Sequence, residues 1–278
     1  MAAAGPHDRG HGRNVSKRTH GGPVTSCNDI EVTFDHRAAV TAEETRTIPY
    51  AVGTLHASPL RNGGIEVAEW DRNEYSVTLC KAADPDEREQ LGKISLTVQG
   101  GRISVQGPDS DERDWTAYLI VRAPKDAALD LEAHNGPLGF HGVSGRVRAR
   151  TVNGPLSFTN CGGDIEGETQ NGPINIEGGR GQVRLRAQNG PLNVELSGSR
   201  WEGGSLEGST QNGPLNLSVP ANFQSGVRVD ASRHSPVECR ASQCRGAVRT
   251  WDYPNRISFG SGDPVVRLST VNGPVNVE

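Results

Sequence analysis

The segment "TQNGPINIEGGRGQVRLRAQNGPLNVEL", residues 169–196, places Asn-Gly between hydrophobic runs, and it does so twice. Asn-Gly in this setting is normally the strongest short-range signal for a β-hairpin. Here each glycine is followed by proline, which has no N–H to return across a two-residue hairpin turn. The segment therefore favours strands that are separated by a corner over strands that pair with each other locally.

Asn-Gly-Pro recurs along the chain, and its spacing defines a repeat. The first four copies are 18 residues apart and the fifth follows after 23 residues; the copies begin at Asn135, Asn153, Asn171, Asn189, Asn212 and Asn272. The long interval before Asn272 holds two degenerate copies, "RHSPVEC" ending at Cys239 and "WDYPNRI" ending at Ile257. Self-similarity of this kind predicts a repeat architecture of about eight units.

Each unit alternates apolar and polar residues on both sides of its corner. In the segment quoted above, Val183, Leu185 and Ala187 precede the corner, and Leu192 and Val194 follow it. This alternation predicts two strands of about five residues with one buried face. Units that have no residues left for helices can pair in parallel only with neighbouring units. The sequence thus predicts an all-β fold, a parallel β-solenoid of about eight coils with 18–23 residues each.

The Asn-Gly-Pro corner suits this architecture residue by residue. Asn tolerates left-handed backbone angles, glycine permits unusual angles, and proline is acceptable as the first residue of a strand. Proline also disfavours a local hairpin, which leaves the strand edges to the neighbouring coils. We interpret the six asparagines that begin the copies as structural corners.

The outward positions before the corner carry charges whose sign alternates from unit to unit. The pairs are Asp130 and Glu132, Arg148 and Arg150, Glu166 and Glu168, and Arg184 and Arg186. Charge runs usually mark a solvated face, but alternation in phase with the repeat indicates control of register. Each exposed pair contributes only about 0.5 kcal/mol, whereas a slipped stack would place like charges opposite each other.

Two features are candidates for ligand binding. After the corner, the exposed row includes Asn175, Asn193 and Asn216, and such an amide row can bind sugars or can satisfy itself as an Asn ladder. The insertion "SGSRWEGGS", 197–205, carries Trp201, which is either a stacking platform for a sugar or an apolar cover for a widened coil. Trp201 and the three asparagines together form the candidate ligand site.

The chain before the repeat divides into two parts. Residues 1–26 contain no apolar run, which predicts a disordered polar tail with neither a signal peptide nor a membrane span. Residues 27–127 show strand alternation, a Gly-Gly hairpin within 94–107 and one short helix at 84–92, so they predict a β section that begins the stack and caps its first coil. The solenoid then occupies residues 128–278.

Composition and cysteine usage limit the classes of function. The 29 basic and 33 acidic residues nearly cancel, so no nucleic-acid partner is expected. The 35 glycines and 17 prolines, against 5 phenylalanines and a single methionine, favour short strands.

The cysteines match no metal-site spacing; we predict the pairs Cys239–Cys244 and Cys27–Cys80, with Cys161 left over. Disulfides imply an extracytoplasmic location, with an export signal either removed from this chain or never present.

Two phrases resemble a known family. "RNGGIEVAEWDRNEYSV" and "VRAPKDAALDLEAHNGPLGFHGVSGRVRARTVNGPLSF" are similar to the bacterial "putative adhesin" family of β-strand-repeat proteins, a domain family of unknown function. The resemblance covers residues 45–278, and its repeated phrase is G-x-V-x-A-x-T-x-N-G-P. It implies a β-solenoid in the periplasm or at the cell surface, and it supplies no catalytic residues.

Signatures of catalysis are missing from the sequence. It contains no G-x-S-x-G elbow, no H-E-x-x-H and no Walker loop. "GGRGQV", 178–183, resembles a calcium-binding nonapeptide, but Val183 stands where that motif needs Asp, so no metal or cofactor is predicted. His134, His141 and His234 lie at corners, where exposure is more usual than catalysis.

Three functions from different classes remain. The first is a non-catalytic scaffold of the cell envelope or a secreted scaffold, adhesin-like, with a surface glycan or an envelope protein as partner. The second is a carbohydrate-binding module that uses Trp201 and the Asn row, and the third is a polysaccharide-active enzyme. The last unit, "STVNGPVNVE", 269–278, shows no capping feature, which predicts weak self-association through an open C-terminal coil.

Overall fold

The computed structural model describes residues 15–19, 24–108, 115–233, 235–250 and 254–278. This part of the chain is all-β, as predicted, and its helices are short 3-10 segments: Cys27–Asp29, Tyr50–Val52, Pro85–Lys93 and Ser242–Gly246. The helix expected at 84–92 is one of these segments. The Asp84 side chain caps its start by accepting a hydrogen bond of 2.9 Å from the Asp86 amide.

The strands are numbered in chain order. Those before the first Asn-Gly-Pro unit are β1 Val15–Thr19, β2 Ile30–Phe34, β3 Arg37–Ala38, β4 Val40–Pro49, β5 Thr54–Asn62, β6 Ile65–Trp70, β7 Glu74–Ala83, β8 Ser95–Gln99, β9 Arg102–Gln106 and β10 Trp115–Pro124. The repeat continues with β11 Ala128–Asn135, β12 Leu138–His141, β13 Arg146–Asn153, β14 Leu156–Thr159, β15 Asp164–Asn171, β16 Ile174–Glu177, β17 Gln182–Asn189, β18 Leu192–Glu195, β19 Leu206–Asn212 and β20 Leu215–Ser218. The remaining strands are β21 Ser225–Ala231, β22 Val237–Cys239, β23 Val248–Thr250, β24 Asn255–Phe259, β25 Ser261–Asn272 and β26 Val275–Val277.

Two large sheets contain most of these strands. The twelve-stranded sheet has the order β23-β24-β21-β25-β19-β17-β15-β13-β11-β5-β9-β8, and the eleven-stranded sheet has the order β22-β26-β20-β18-β16-β14-β12-β6-β10-β7-β4. Each Asn-Gly-Pro unit gives one strand to each sheet and pairs in parallel with its neighbours. The register places corner Asn on corner Asn, as at Asn153 and Asn171. The predicted parallel pairing between units is therefore confirmed.

The first unit of the stack lies within residues 27–127, the section that was expected to begin the stack and to cover its first coil. Strand β5 pairs in parallel with β11, and β6 pairs in parallel with β12, with Asn62 opposite Asn135. The sequence at this corner is Asn-Gly-Gly, residues 62–64. The Gly63 amide donates to the Asn135 carbonyl in the same way that later corner glycines do. The repeat thus begins at residue 54, with a corner that lacks proline.

The C-terminal unit does not lie at the end of the stack. Strand β25 pairs in parallel with β19 on one side and with β21 on the other, and β26 lies likewise between β20 and β22. Val275 and Val277 are buried. The expectation of an open C-terminal coil, and the self-association inferred from it, is wrong because the chain returns and inserts its last unit between two earlier ones.

One of the two degenerate copies is a repeat unit and the other is not. "RHSPVEC" contains β22, which pairs in parallel with β26. "WDYPNRI" leads instead into β24, which runs antiparallel to β21. Strand β24 lies on the side of β21 that faces away from the other repeat units. Its expected corner falls at residues 251–253, outside the described residues. The interval before Asn272 therefore holds one unit and two antiparallel strands, β24 and β23, that end the sheet.

A single hydrophobic core lies between the two large sheets. It is built from the inward positions of every unit, such as Leu131, Val147 and Ile176. Phe140 and Phe158 stack within it, with ring centroids 5.1 Å apart. These are the alternating apolar positions of the sequence, so the repeat buries one continuous face, as period-two alternation requires.

The N-terminal section covers the first unit in both sheets. Strands β10, β7 and β4 extend the eleven-stranded sheet beyond β6, and the β8–β9 hairpin extends the other beyond β5. A three-stranded sheet, β1-β2-β3, lies over β7 and β10 with a small core of its own around Ile30 and Tyr118. Residues 15–19 of the predicted disordered tail thus form a strand, because the edge of β2 offers them a partner; residues 1–14 and 20–23 lie outside the described residues.

Candidate functional site

Each Asn-Gly-Pro corner stacks closely on the corner before it. A Cβ atom at Gly154 would lie 2.1 Å from the Gly136 carbonyl oxygen, so this position admits only glycine. The Gly136 amide donates to Asn153 O, and the Leu138 amide donates to Pro155 O, each over 3.0 Å. These bonds use the amides before and after the proline and none from the proline itself. Proline therefore costs the ladder nothing here.

The corner asparagines form a ladder of side-chain amides. Asn153 Nδ2 donates to Asn135 Oδ1 over 2.8 Å, and the same bond recurs at 2.8–3.0 Å in the later units through Asn171, Asn189, Asn212 and Asn272. Two residues before the corner, inward threonines bond corner carbonyls, as Thr210 does to Gly190 O over 2.7 Å. The polar groups of the corners are thus engaged by neighbouring units, and the corners hold the stack together.

The charged rows pair across units at the outer surface of the twelve-stranded sheet. Arg150 lies 3.1 Å from a Glu132 oxygen and 3.9 Å from a Glu168 oxygen, and Arg186 is 3.5 Å from Glu168. In the charged row two residues earlier in each strand, Arg148 contacts Glu166 at 3.3 Å. Asp130 faces His56 at 3.4 Å, and Arg184 lies between Glu166 and Glu207 in register. These side chains are about half exposed, so each pair contributes little stability.

An open groove of about 670 Å³ crosses the twelve-stranded sheet beside the corners. It is lined by the same three positions in successive units, one, two and three residues before the corner Asn. The outer walls are Glu132, Arg150, Glu168, Arg186, Ser209 and Ser269 on one side and His134, Val152, Gln170, Gln188, Gln211 and Val271 on the other. Six units contribute, which at about 4.8 Å per strand gives a length of about 24 Å.

The strand pairing is interrupted just before each corner. The parallel register joins Thr151 to Thr169 and Asn153 to Asn171, and it skips the residue between them. That residue, immediately before the corner Asn, is left out of the ladder in unit after unit. Its side chain and the one two residues earlier both reach the surface, and the buried Thr or Ala lies between them. Every unit thus supplies one segment of both walls.

Three glutamines stand out in the groove because their amides have no partner. Gln170, Gln188 and Gln211 occupy the same position in three consecutive units, and all three are exposed. Within the described residues none of these side chains makes a hydrogen bond, in contrast to the asparagines next to them. The sequence did contain the signal: glutamine directly precedes the corner in three successive copies, "TQNGP", "AQNGP" and "TQNGP".

The predicted ligand site of Trp201 and the Asn row is not brought together. Trp201 is 8% exposed, and its Nε1 donates to Gly181 O over 2.9 Å. It lies in the segment between β18 and β19 and covers the side of a unit. Trp201 is therefore an apolar cover for the widened coil and not an exposed stacking platform for a sugar. The asparagines lie on the other sheet and bond one another: Asn193 donates to Asn175, and Asn216 to Asn193, each over 2.8 Å.

The cysteines form the two predicted disulfides. Cys27 is bonded to Cys80, which ties the three-stranded sheet to β7, and Cys239 is bonded to Cys244. Cys161 is free and buried. Burial raises the pKa of the Cys161 thiol to about 12, so this cysteine is a neutral core residue at physiological pH and a poor nucleophile.

A buried carboxylate was missed by sequence reasoning. Glu66 on β6 is only 8% exposed. His141 Nε2 contacts its Oε1, and the Tyr118 hydroxyl donates to its Oε2 over 3.3 Å. Burial raises the pKa of Tyr118 above its ordinary value. Gly139 lies opposite Glu66 and leaves room for the carboxylate, because a Cβ there would approach it to 2.4 Å. His141 and Tyr118 thus satisfy the buried carboxylate of Glu66, whose strand β6 lies between their strands β12 and β10.

Metal-binding clusters and membrane-spanning helices are absent from the described residues. No cluster of three or more His, Cys, Asp or Glu side chains suited to a metal occurs in the described residues. None of the helices described is long and apolar enough to cross a bilayer. His134 and His141 are not brought together in one site, and His234 lies outside the described residues. The groove is therefore the candidate functional site.

Comparison with known proteins shows distant structural similarity and no sequence match. No family model matches the chain, and no curated protein matches it. Among solved structures, a "putative cell adhesion protein" from Clostridium sporogenes has 11% identity and a TM-score of 0.35, covering 86% of this chain and 99% of its own. A "putative adhesin" from Bacteroides fragilis has 9% identity and a TM-score of 0.29, covering 85% and 96%.

A third solved structure, a "putative lipid binding protein" from Parabacteroides distasonis, has 11% identity and a TM-score of 0.36, and it covers 85% of this chain and 96% of its own. TM-scores below 0.5 do not establish a shared fold, so what these proteins bind is not transferred to this chain. The resemblance to the adhesin family rests on the sequence phrases quoted above.

Proposed function

We propose that this protein is a non-catalytic binding scaffold that works outside the cytoplasm, in the cell envelope or as a secreted protein. The groove carries this proposal. It is lined by the same strand positions in six units, so it presents outward side chains at a regular spacing of one strand along its whole length. A linear polymer can contact several units at once, whereas a small ligand would contact only one or two of them.

The scaffold we propose is a β-solenoid. In space it begins with β5 and β6 and ends with β21 and β22, and each coil contributes one strand to each sheet. Its support is the common core between the sheets and the parallel Asn-on-Asn register. The corner ladders fix that register, since a slip by one residue would turn every inward side chain outward.

The location outside the cytoplasm is supported by the two disulfides, which persist in oxidising compartments. The absence of catalysis is supported by the way the reactive groups are used. The charged groups of the groove are paired with each other, and the buried Glu66 is held by His141 and Tyr118 on the other sheet. The adhesin-like role follows as attachment to a polymer through the groove.

A blocking experiment tests this function. Gln188→Cys, labelled with a bulky maleimide, would obstruct the middle of the groove, while Glu195→Cys, labelled in the same way, would carry the bulk on the other sheet. Cys161 is buried and so is shielded from the maleimide. Affinity electrophoresis against linear polysaccharides and extended peptides should show a retardation that only the Gln188 label removes. Equal retardation with both labels, or release of polymer fragments, would contradict the proposal.

A further inference from the structure

We infer that the ligand of the groove is a neutral, linear polysaccharide. This inference rests on the proposed function and names its class of ligand. Four observations support it: the charge of the groove, its free amides, its direction across the strands, and its apolar positions. Each of them separates a neutral glycan from another kind of polymer.

The charge of the groove disfavours a polyanion. Its charged lining consists of two acids, Glu132 and Glu168, and two arginines, Arg150 and Arg186. These four form a chain of ion pairs, 3.1, 3.9 and 3.5 Å apart. An acidic polysaccharide would have to displace a glutamate from each arginine and would then lie beside that glutamate. A basic polymer meets the same difficulty with the signs exchanged.

The free amides favour hydroxyl groups. Each glutamine side chain offers a carbonyl acceptor and two N–H donors. Sugar hydroxyls both donate and accept, so one amide can serve two neighbouring hydroxyls. Gln170, Gln188 and Gln211 present such a group once per unit in three consecutive units, and Ser209 and Ser269 add hydroxyls on the opposite wall. A sugar ring in an extended chain advances by roughly one strand spacing, so successive sugars would meet successive units.

The direction of the groove disfavours a peptide. An extended peptide binds a sheet by adding a strand at its edge, where backbone groups are unpaired. The groove instead crosses the middle of the sheet, where the backbone groups of β13, β15 and β17 are already paired on both sides. The side chains on one face of an extended peptide are also about 6.6 Å apart, which does not match a strand spacing of about 4.8 Å.

The apolar positions suit the faces of sugar rings. Val271 is 53% exposed and lies in the groove, with Val152 on the same wall. Among the described residues, no Phe, Tyr or Trp side chain lines the groove, so contact with the ring faces would come mainly from methyl groups. We therefore expect modest affinity for single sugars, and affinity that rises with chain length up to about five sugars, the number that spans about 24 Å.

The experiment compares the wild type with a triple variant, Gln170→Ala, Gln188→Ala and Gln211→Ala. The control variant, Glu177→Ala with Glu195→Ala, removes exposed side chains from the other sheet. Affinity electrophoresis would use four neutral polymers (a β-glucan, an α-glucan, a mannan and a xylan), polygalacturonate and an extended proline-rich peptide. We expect retardation by a neutral polymer that is unaffected by salt, about 100-fold weaker in the triple variant, and unchanged in the control variant.

The outcomes separate this inference from the proposed function. If only polygalacturonate or the peptide binds, and the Gln188 label removes that binding, the inference is overturned while the binding scaffold stands. If a neutral polymer binds but is cut, the ligand class stands and the non-catalytic function is overturned. Binding of a neutral polymer that the triple variant retains, or no retardation by any of the four, overturns the inference.

Discussion

Alanine at a corner glycine tests the close stacking of the units. In Gly154→Ala, the new Cβ would lie 2.1 Å from Gly136 O, a backbone atom that no side-chain rotation can move away. Carbon and oxygen normally remain more than about 3 Å apart. The two corners must therefore separate by about 1 Å, although the rest of each unit is held at the spacing of a parallel sheet.

The separation would weaken four hydrogen bonds between these two units. They are the amide bonds from Gly136 to Asn153 and from Leu138 to Pro155, the side-chain bond from Asn153 to Asn135, and the bond from Thr151 to Gly136 O. A hydrogen bond contributes about 1 kcal/mol net. Loss of two or three of these bonds would lower the free energy of unfolding by about 2–3 kcal/mol, and the Tm by roughly 5–10 °C for a chain of this size.

The assay is thermal unfolding followed by circular dichroism, with Gly92→Ala as the matched control. Nothing lies within 4 Å of a Cβ built on Gly92, so that substitution should leave the Tm unchanged or raise it slightly, since alanine reduces the freedom of the unfolded chain. If Gly154→Ala melts at the same temperature as Gly92→Ala, the corners do not approach each other as described and the explanation of the Asn-Gly-Pro motif fails.

Three further predictions concern the surface, the disulfides and the cover of the widened unit. Arg150→Glu, which would face two glutamates, should lower the Tm by a few degrees at low salt and by less in about 1 M salt; a loss that is independent of salt would show that these charges do not interact. Removal of the Cys27–Cys80 disulfide, which joins residues 53 apart, should cost about 4 kcal/mol in denaturant unfolding, roughly twice the cost for the disulfide that joins residues 5 apart; an equal or reversed order would refute this. Trp201→Ala should cost about 3–5 kcal/mol and leave polymer binding at the groove unchanged, whereas weaker binding at full stability would restore a sugar-binding role for Trp201.

The repeat itself could be predicted from sequence because its signals are local. Alternation fixes which residues face inward, and proline after Asn-Gly removes the hairpin as a competitor. The positions of Val183 and Leu185 in the core follow from that pattern alone. The Cys239–Cys244 disulfide could be predicted because the two cysteines are close in sequence, whereas the Cys27–Cys80 disulfide depends on the packing of the three-stranded sheet on β7, which no local pattern records.

Other features depend on contacts that no local pattern records. The unit at 54–70 has Gly64 in place of proline, and 57 residues separate its last residue from the next repeat strand at Ala128. The insertion of the last unit between β19 and β21 is invisible because the order of units in space need not follow their order in the chain. Alternation places Arg186 and Gln188 on the same outer face, but it does not show that this face forms a groove beside the corners.

The inserted position of the last unit also has a consequence for synthesis on the ribosome. Residues 225–239 leave the ribosome before residues 261–277, yet in the finished protein the parallel strand partners of β21 and β22 lie in that later segment. Until β25 and β26 have been made, β21 and β22 have no parallel partners. A nascent chain that stops before residue 261 lacks the unit that lies between β19 and β21 and between β20 and β22. The strand edges and apolar side chains that this unit covers would then be exposed, and chaperones and proteases recognise such surfaces. Completion of this fold is therefore coupled to completion of translation through this segment.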